Sequence, residues 1–214
     1  MTQRFALYFA PARDSVFDRA AEAWLAQSDL LPMTVSARRY GFHATLKAPF
    51  SLAPDFDRAD LEQALSAFAA RHAPVSLGRL APTLLDGFLA LTATPQPQAL
   101  TDFAATVVTA FERLRAPLDS AERDRRLKAQ LSPRQIELVD LYGYPYVLEQ
   151  FLFHMTLTDR LPGDRRDELL GRAVDWFAGA LGSPIVLDRL ALFHEAEPGA
   201  AFTRLDDFVL QGSA

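Results

Sequence analysis

Apolar and polar positions alternate along the chain with two periods, and the changes from one period to the other lay out its elements. Residues 4–10 form a nearly unbroken apolar run and read as a first strand. Over 15–27, Val16, Phe17, Ala20, Ala21, Trp24 and Leu25 recur at helical spacing, which predicts an amphipathic helix. A strand over 40–52, broken by Pro49, precedes a second helix over 57–71 that is capped near Asp55 or Asp57. Residues 75–80 and 87–94 read as strands connected through Pro82 and Asp86-Gly87, and 97–115 as a further helix. The rhythm then breaks over 117–150. A charged helical stretch at 120–130 leads to Ser132-Pro133, an N-cap and first-turn proline for a helix over 134–141, and then to Tyr142-Gly143-Tyr144-Pro145-Tyr146. This segment is expected to be a helical insertion or a lid. A strand over 151–158, a helix over 164–181 and two strands over 185–193 and 201–210, turning at Glu197-Pro198-Gly199, complete the pattern.

One part of the pattern occurs twice. Phe42-His43-Ala44-Thr45-Leu46 matches Phe153-His154-Met155-Thr156-Leu157, and each is followed by a loop and a helix that begin alike, Asp57-Arg58-Ala59-Asp60 against Asp164-Arg165-Arg166-Asp167. The same order on the same predicted elements implies two related halves, each with a strand and helix unit. The expected fold is therefore α+β, a single domain over 1–214 with two pseudo-symmetric lobes.

In a strand, residues two apart share a face, so His43 projects with Thr45 and His154 with Thr156, while the Phe, Ala or Met, and Leu positions face the core. If a pseudo-twofold axis relates the halves, both polar pairs meet across it. Two imidazoles and two hydroxyls around one small volume suit substitution at phosphorus. One neutral His takes a proton from the attacking hydroxyl or water, the other, protonated, gives one to the leaving oxygen, and the Thr hydroxyls bind the non-bridging oxygens. A lone His on a strand is more often structural; the repeated spacing is what singles out these two of the four histidines. His72, at a helix C-terminus, and His194, with no Thr two residues on, read as structural.

Composition narrows the chemistry. The chain has 214 residues, half of them apolar, enough for one large domain or two small packed ones. It has no cysteine, which excludes disulfides, thiolate nucleophiles and Cys-ligated metals, and fits a cytoplasmic protein. No stretch reaches the roughly 18 apolar residues of a membrane span, and the N-terminal apolar run is too short for a signal peptide. The net charge of −5 disfavours an obligate long nucleic acid, although Arg38-Arg39 and residues 123–126 offer local positive charge. No His pair stands at zinc-ligand spacing, no Gly-x-Ser-x-Gly elbow occurs and no glycine loop for phosphates is present, so neither metal nor cofactor is expected.

At its two His-x-Thr motifs the chain resembles the two-histidine (2H) phosphoesterase superfamily, and the stretches around them, 39–50 and 143–158, resemble its bacterial branch associated with phosphonate-utilisation operons. That resemblance implies a bilobed, internally duplicated fold with antiparallel sheets around a central cleft. It implies His43 and His154 as the acid/base pair and Thr45 and Thr156 as phosphate binders. The implied activity is metal-independent hydrolysis of a small cyclic phosphodiester, of the 2′,3′-cyclic nucleotide or ribose cyclic phosphate type, with an RNA-end phosphodiesterase or ligase and a nucleotide-binding module without turnover as alternatives. Lys47, on the face of His43 if the strand is unbroken, is a further candidate for the phosphate, or a strand-end surface lysine. Arg39 either reaches the cleft or is solvated, and Tyr144 and Tyr146 either stack on a base or sugar or pack locally.

Overall fold

A computed structural model describes residues 3–213. β1 (Arg4–Phe9) is buried on both faces. Phe5, Leu7 and Phe9 enter the main core, whereas Ala6 and Tyr8 join a smaller cluster with Ala191, Phe193 and Phe202. A strand buried on both sides must lie inside a sheet, which explains its unbroken apolar run. α1 (Val16–Leu25) begins at Ser15, whose hydroxyl accepts the Asp18 N–H, and buries Trp24, whose indole N–H donates to the Leu157 carbonyl at 3.0 Å. A short helix absent from the sequence reading, α2 (Val35–Tyr40), stops at Gly41, where φ is +73° and glycine carries no Cβ penalty. β2 (Ala44–Phe50) follows, then α3 (Arg58–Ala69), held at its start by a reciprocal Asp57–Asp60 capping box.

Next come β3 (Val75–Gly78), β4 (Leu80–Leu85), β5 (Phe88–Ala93) and α4 (Gln98–Ala110). Of the stretch 81–86, read from sequence as a connection, residues 81–85 belong to β4. It forms a hairpin with β5 through Asp86 and Gly87, whose φ angles of 48° and 88° fit a two-residue loop of the primed type. α5 (Ser120–Leu127) and α6 (Pro133–Tyr142) make up the predicted charged and Pro-started helices, α6 with a Ser132–Gln135 capping box. The chain ends with β6 (His154–Thr156), α7 (Arg166–Phe177), β7 (Ile185–Leu187), β8 (Arg189–Glu195) and β9 (Thr203–Val209).

The fold is α+β and two-lobed. One antiparallel sheet has the order β2-β1-β8-β9, a second has β4-β5-β6, and β3 pairs with β7. Each larger sheet takes strands from both halves of the chain, so the sequence halves are not the lobes. Pro49 and Pro82 do not break their strands, because β2 and β4 are sheet edges, where a residue without an N–H is tolerated. The strands bearing the repeated motif, β2 and β6, are each the edge of a sheet, and the two edges lie against each other. Among the described residues no helix is long and apolar enough to cross a membrane.

Candidate active site

A cavity of about 1060 Å³ opens where β2 meets β6. His43, Thr45, His154 and Thr156 all line it. The alternation read from sequence explains why: Ala44, Leu46, Phe153, Met155 and Leu157 are all buried in the main core, which turns the polar pairs to the opposite side. β6 is fixed by its antiparallel pairing to β5, Ala90 opposite Thr156 and Thr92 opposite His154.

The two imidazoles are held in the same way. His43 Nδ1 lies 2.8 Å from the Gly41 carbonyl oxygen and His154 Nδ1 lies 2.9 Å from the Leu152 carbonyl oxygen, each two residues back. A carbonyl only accepts, so Nδ1 carries a proton in both rings, and Nε2 holds a lone pair when the ring is neutral and a second proton when it is charged. Thr45 Oγ1 sits 3.3 Å from His43 Nε2 and donates to it, whereas among the described residues His154 Nε2 has no protein partner.

Their surroundings differ. His43 stacks on Tyr8 with ring centroids 3.8 Å apart, and Tyr40 and Phe193 stand 6.2 Å away. Burial in this aromatic setting pushes its pKa down to about 4, against the Gly41 hydrogen bond, which favours the charged ring, and with a further small push from His154. Burial likewise raises the Tyr8 phenol far above its ordinary value. His154 has only the edge of Phe88, at 6.0 Å.

Lys47 does not join the site. β1 and β2 pair Tyr8 with Thr45 but Leu7 with Lys47, so Leu46 is an extra residue, a bulge that turns Lys47 to the face opposite Thr45. There it is 3% exposed and its ammonium donates to Glu112 at 2.7 Å and to the Val108 carbonyl at 3.1 Å. It is neither a phosphate ligand nor a surface lysine but the buried link between β2 and the end of α4. Burial lowers its pKa, and the Glu112 partner opposes that shift. Tyr146 also lies outside the cavity lining, half-exposed, with its ring edge-on to Tyr144 at 5.5 Å.

Arg39 lines the cavity, but its guanidinium donates to Glu195 at 2.8 Å and to the Ala200 carbonyl. Tyr144 lines it as well, and burial pushes its phenol up to about 12. The sequence reading missed Tyr8, Tyr40, Arg4 and Arg115, all on the lining, where Arg125 and Arg126 from the charged stretch 123–126 join them. Tyr8 had left one signal, a hydroxyl in the middle of a doubly buried strand. His72 and His194 stay outside: His72 Nδ1 donates to the Phe68 carbonyl at the end of α3, and His194 Nε2 bonds the Gln3 side chain. Among the described residues no group of three or more His, Asp or Glu side chains is placed to hold a metal ion.

Residues 45–203 match a family described as a protein of unknown function, DUF1045. The chain belongs to the DUF1045 family. Two curated relatives, from Janthinobacterium sp. (strain Marseille) and Laribacter hongkongensis (strain HLHK9), are each named ribose 1,5-bisphosphate phosphokinase PhnN and are each 37% identical to this DUF1045 chain over 93% of its length. The alignments take up 49% and 50% of those proteins, so the chain spans about half the length of the curated relatives it matches. In fold it is similar to TT0787 of Thermus thermophilus, with a TM-score of 0.53, 18% identity and coverage of 99% of this chain and all of the other.

Proposed function

We propose that this DUF1045 protein is a metal-independent phosphoesterase of the two-histidine type that hydrolyses a small cyclic phosphodiester. The observation that carries the reading is the pair of His-Thr strands abutting at one cavity, with both rings tethered through Nδ1, so that chemistry falls to the two Nε2 atoms once the Thr45 hydroxyl turns from His43 Nε2 to the substrate phosphate. His43, neutral in its aromatic surroundings, takes a proton from water as the water oxygen forms its bond to phosphorus. His154, protonated, gives its proton to the ester oxygen as the P–O bond breaks, and the ring opens to one product that carries a phosphate monoester and a free hydroxyl. Thr45 and Thr156 donate to the non-bridging oxygens, where charge builds up in the transition state.

The substrate class we favour is a ribose cyclic phosphate, and the support is twofold. The cavity volume suits a sugar phosphate or nucleotide. The curated relatives are named for ribose 1,5-bisphosphate, a ribose phosphate monoester like the ring-opened product of a ribose cyclic phosphate though with a second phosphate. Their PhnN designation also agrees with the resemblance to the phosphonate-associated branch, and we place the activity in phosphonate metabolism. The kinase activity in their name is not carried over, since this chain has no glycine loop for nucleotide phosphates.

The test is turnover of 2′,3′-cyclic nucleotides, ribose cyclic phosphates and RNA ends with a chelator present. Hydrolysis of a small cyclic diester, with His43→Ala and His154→Ala each lowering kcat by about two orders of magnitude or more, is the expected result. Full activity in either variant, or turnover that a chelator abolishes and one divalent metal restores, overturns the reading.

A further inference from the structure

Above the His-Thr floor, one wall of the cavity comes from α5 and the loop after α6, and its charge is unbalanced. Among the described residues Glu122 is the only carboxylate shared by three guanidiniums: Arg126 at 3.2 Å, Arg125 at 3.3 Å and Arg4 at 3.9 Å. Arg4 has a second partner, Glu195, at 2.6 Å, but Glu195 is also shared with Arg39. Four arginines thus lean on two carboxylates, in a chain whose net charge is −5. Asp119, nearby, spends its carboxylate on the Glu122 backbone N–H at the start of α5 and pairs with none of them.

Arg126 shows the same deficit at the level of one atom. Its Nε–H is the only buried side-chain donor without a hydrogen-bond partner among the described residues. Its guanidinium lies 5.6 Å from the centre of the Tyr144 ring, and both residues line the cavity. A planar guanidinium with a buried, unpartnered Nε–H beside a second, exposed guanidinium fits a phosphate dianion, which accepts from both in a fork geometry.

We propose that this wall is a second anion subsite, in which Arg125 and Arg126 bind a phosphate monoester on the end of the substrate remote from the phosphodiester that His43 and His154 cleave. It rests on the phosphoesterase reading and narrows it: the substrate is a doubly phosphorylated sugar, one phosphate cyclic and one terminal. Glu122 occupies the subsite's donors when it is empty and competes with the incoming phosphate.

The experiment compares 2′,3′-cyclic AMP with the same molecule carrying a 5′-phosphate, in wild type, Arg125→Gln/Arg126→Gln and Glu122→Gln. Wild type should favour the 5′-phosphorylated substrate by about ten- to a hundredfold in kcat/KM, the worth of a charge-assisted contact, chiefly through KM. The double variant should bring that ratio to within about threefold of unity, and Glu122→Gln should raise it. If the double variant does not fold, Arg125→Gln alone, whose side chain is 65% exposed, should lower the ratio. A wild-type ratio near one, or a ratio the arginine variants leave unchanged, overturns the subsite while hydrolysis still stands. If neither compound is hydrolysed, titration calorimetry with ribose 5-phosphate decides. Binding to wild type that the arginine variants abolish keeps the subsite and removes the hydrolase; equal or absent binding removes the subsite too.

Discussion

His43 and His154 have the same tether and different neighbourhoods, and the proposed mechanism assigns them different work on that ground. The aromatic cover of Tyr8 holds His43 neutral, so kcat/KM should stay high as pH drops below the ordinary histidine pKa and fall only through about 4. A profile from pH 3.5 to 9 checks this; an acid limb well above pH 4 would take the base role away from His43. The same depressed pKa has a stability counterpart. Between about pH 6.5 and 4 the unfolded ring takes up a proton that the folded one refuses, so stability is full above that window and is lost as pH falls through it, by roughly 3 kcal/mol in all. His43→Gln should flatten this slope in denaturant titrations across the window. Lys47, the residue that the bulge turns away, should behave as a structural link. Lys47→Met keeps its volume and leaves Glu112 paired with Arg115 at 2.6 Å, so a cost of about 1 kcal/mol in stability with kcat/KM changed by less than about threefold is expected. A loss of tenfold or more in kcat/KM would return Lys47 to the phosphate.

At the level of elements, the site is made by two sheet edges. An edge strand has one side free of main-chain pairing, so β2 and β6 can approach each other without belonging to one sheet, and their outward polar pairs then share a space. The remaining wall depends on α6 and its caps: the Ser132–Gln135 box at its start and Gly143, at φ +74°, where the chain turns to present Tyr144. Ser132→Ala removes a cap worth about 1 kcal/mol and should lower the melting temperature by about 2–4 °C. Because Tyr142 and Tyr144 line the cavity from the far end of that helix, the accompanying kinetic change should be small and confined to KM. A collapse of kcat in a variant of unchanged melting temperature would mean that the helix acts on the chemistry directly.

For the whole molecule, charge and its placement point in different directions. The chain as a whole is acidic, whereas the cavity is lined by arginines 4, 39, 115, 125 and 126. Such a charge distribution should disfavour long polyanions and favour a short one that enters the cavity. Turnover of a doubly phosphorylated small substrate should weaken as salt rises from about 0.05 to 0.5 M, through KM, because added ions screen the partly exposed arginines. Affinity for long RNA should be low throughout that range. RNA bound more tightly than the small substrate would favour the RNA-end reading.

Periods of two and 3.6 residues, with local hydrogen bonding, are enough to mark out the motif strands, the faces they bury, the caps of α3 and α6 and the pairing of two histidines with two threonines. They misplace Lys47, because one inserted residue in β2, Leu46, reverses the face of the residue after it and alternation carries no mark of a bulge. Tyr146 escapes them too, since its loop has no period to show which ring turns inward. Packing between distant segments settles the rest: that β2 and β6 are edges that abut, that each larger sheet draws strands from both halves, and that Arg4, from the first strand, meets Arg126, from the fifth helix, on one carboxylate. Contacts between residues more than a hundred positions apart depend on how faces stack, and no local period encodes that.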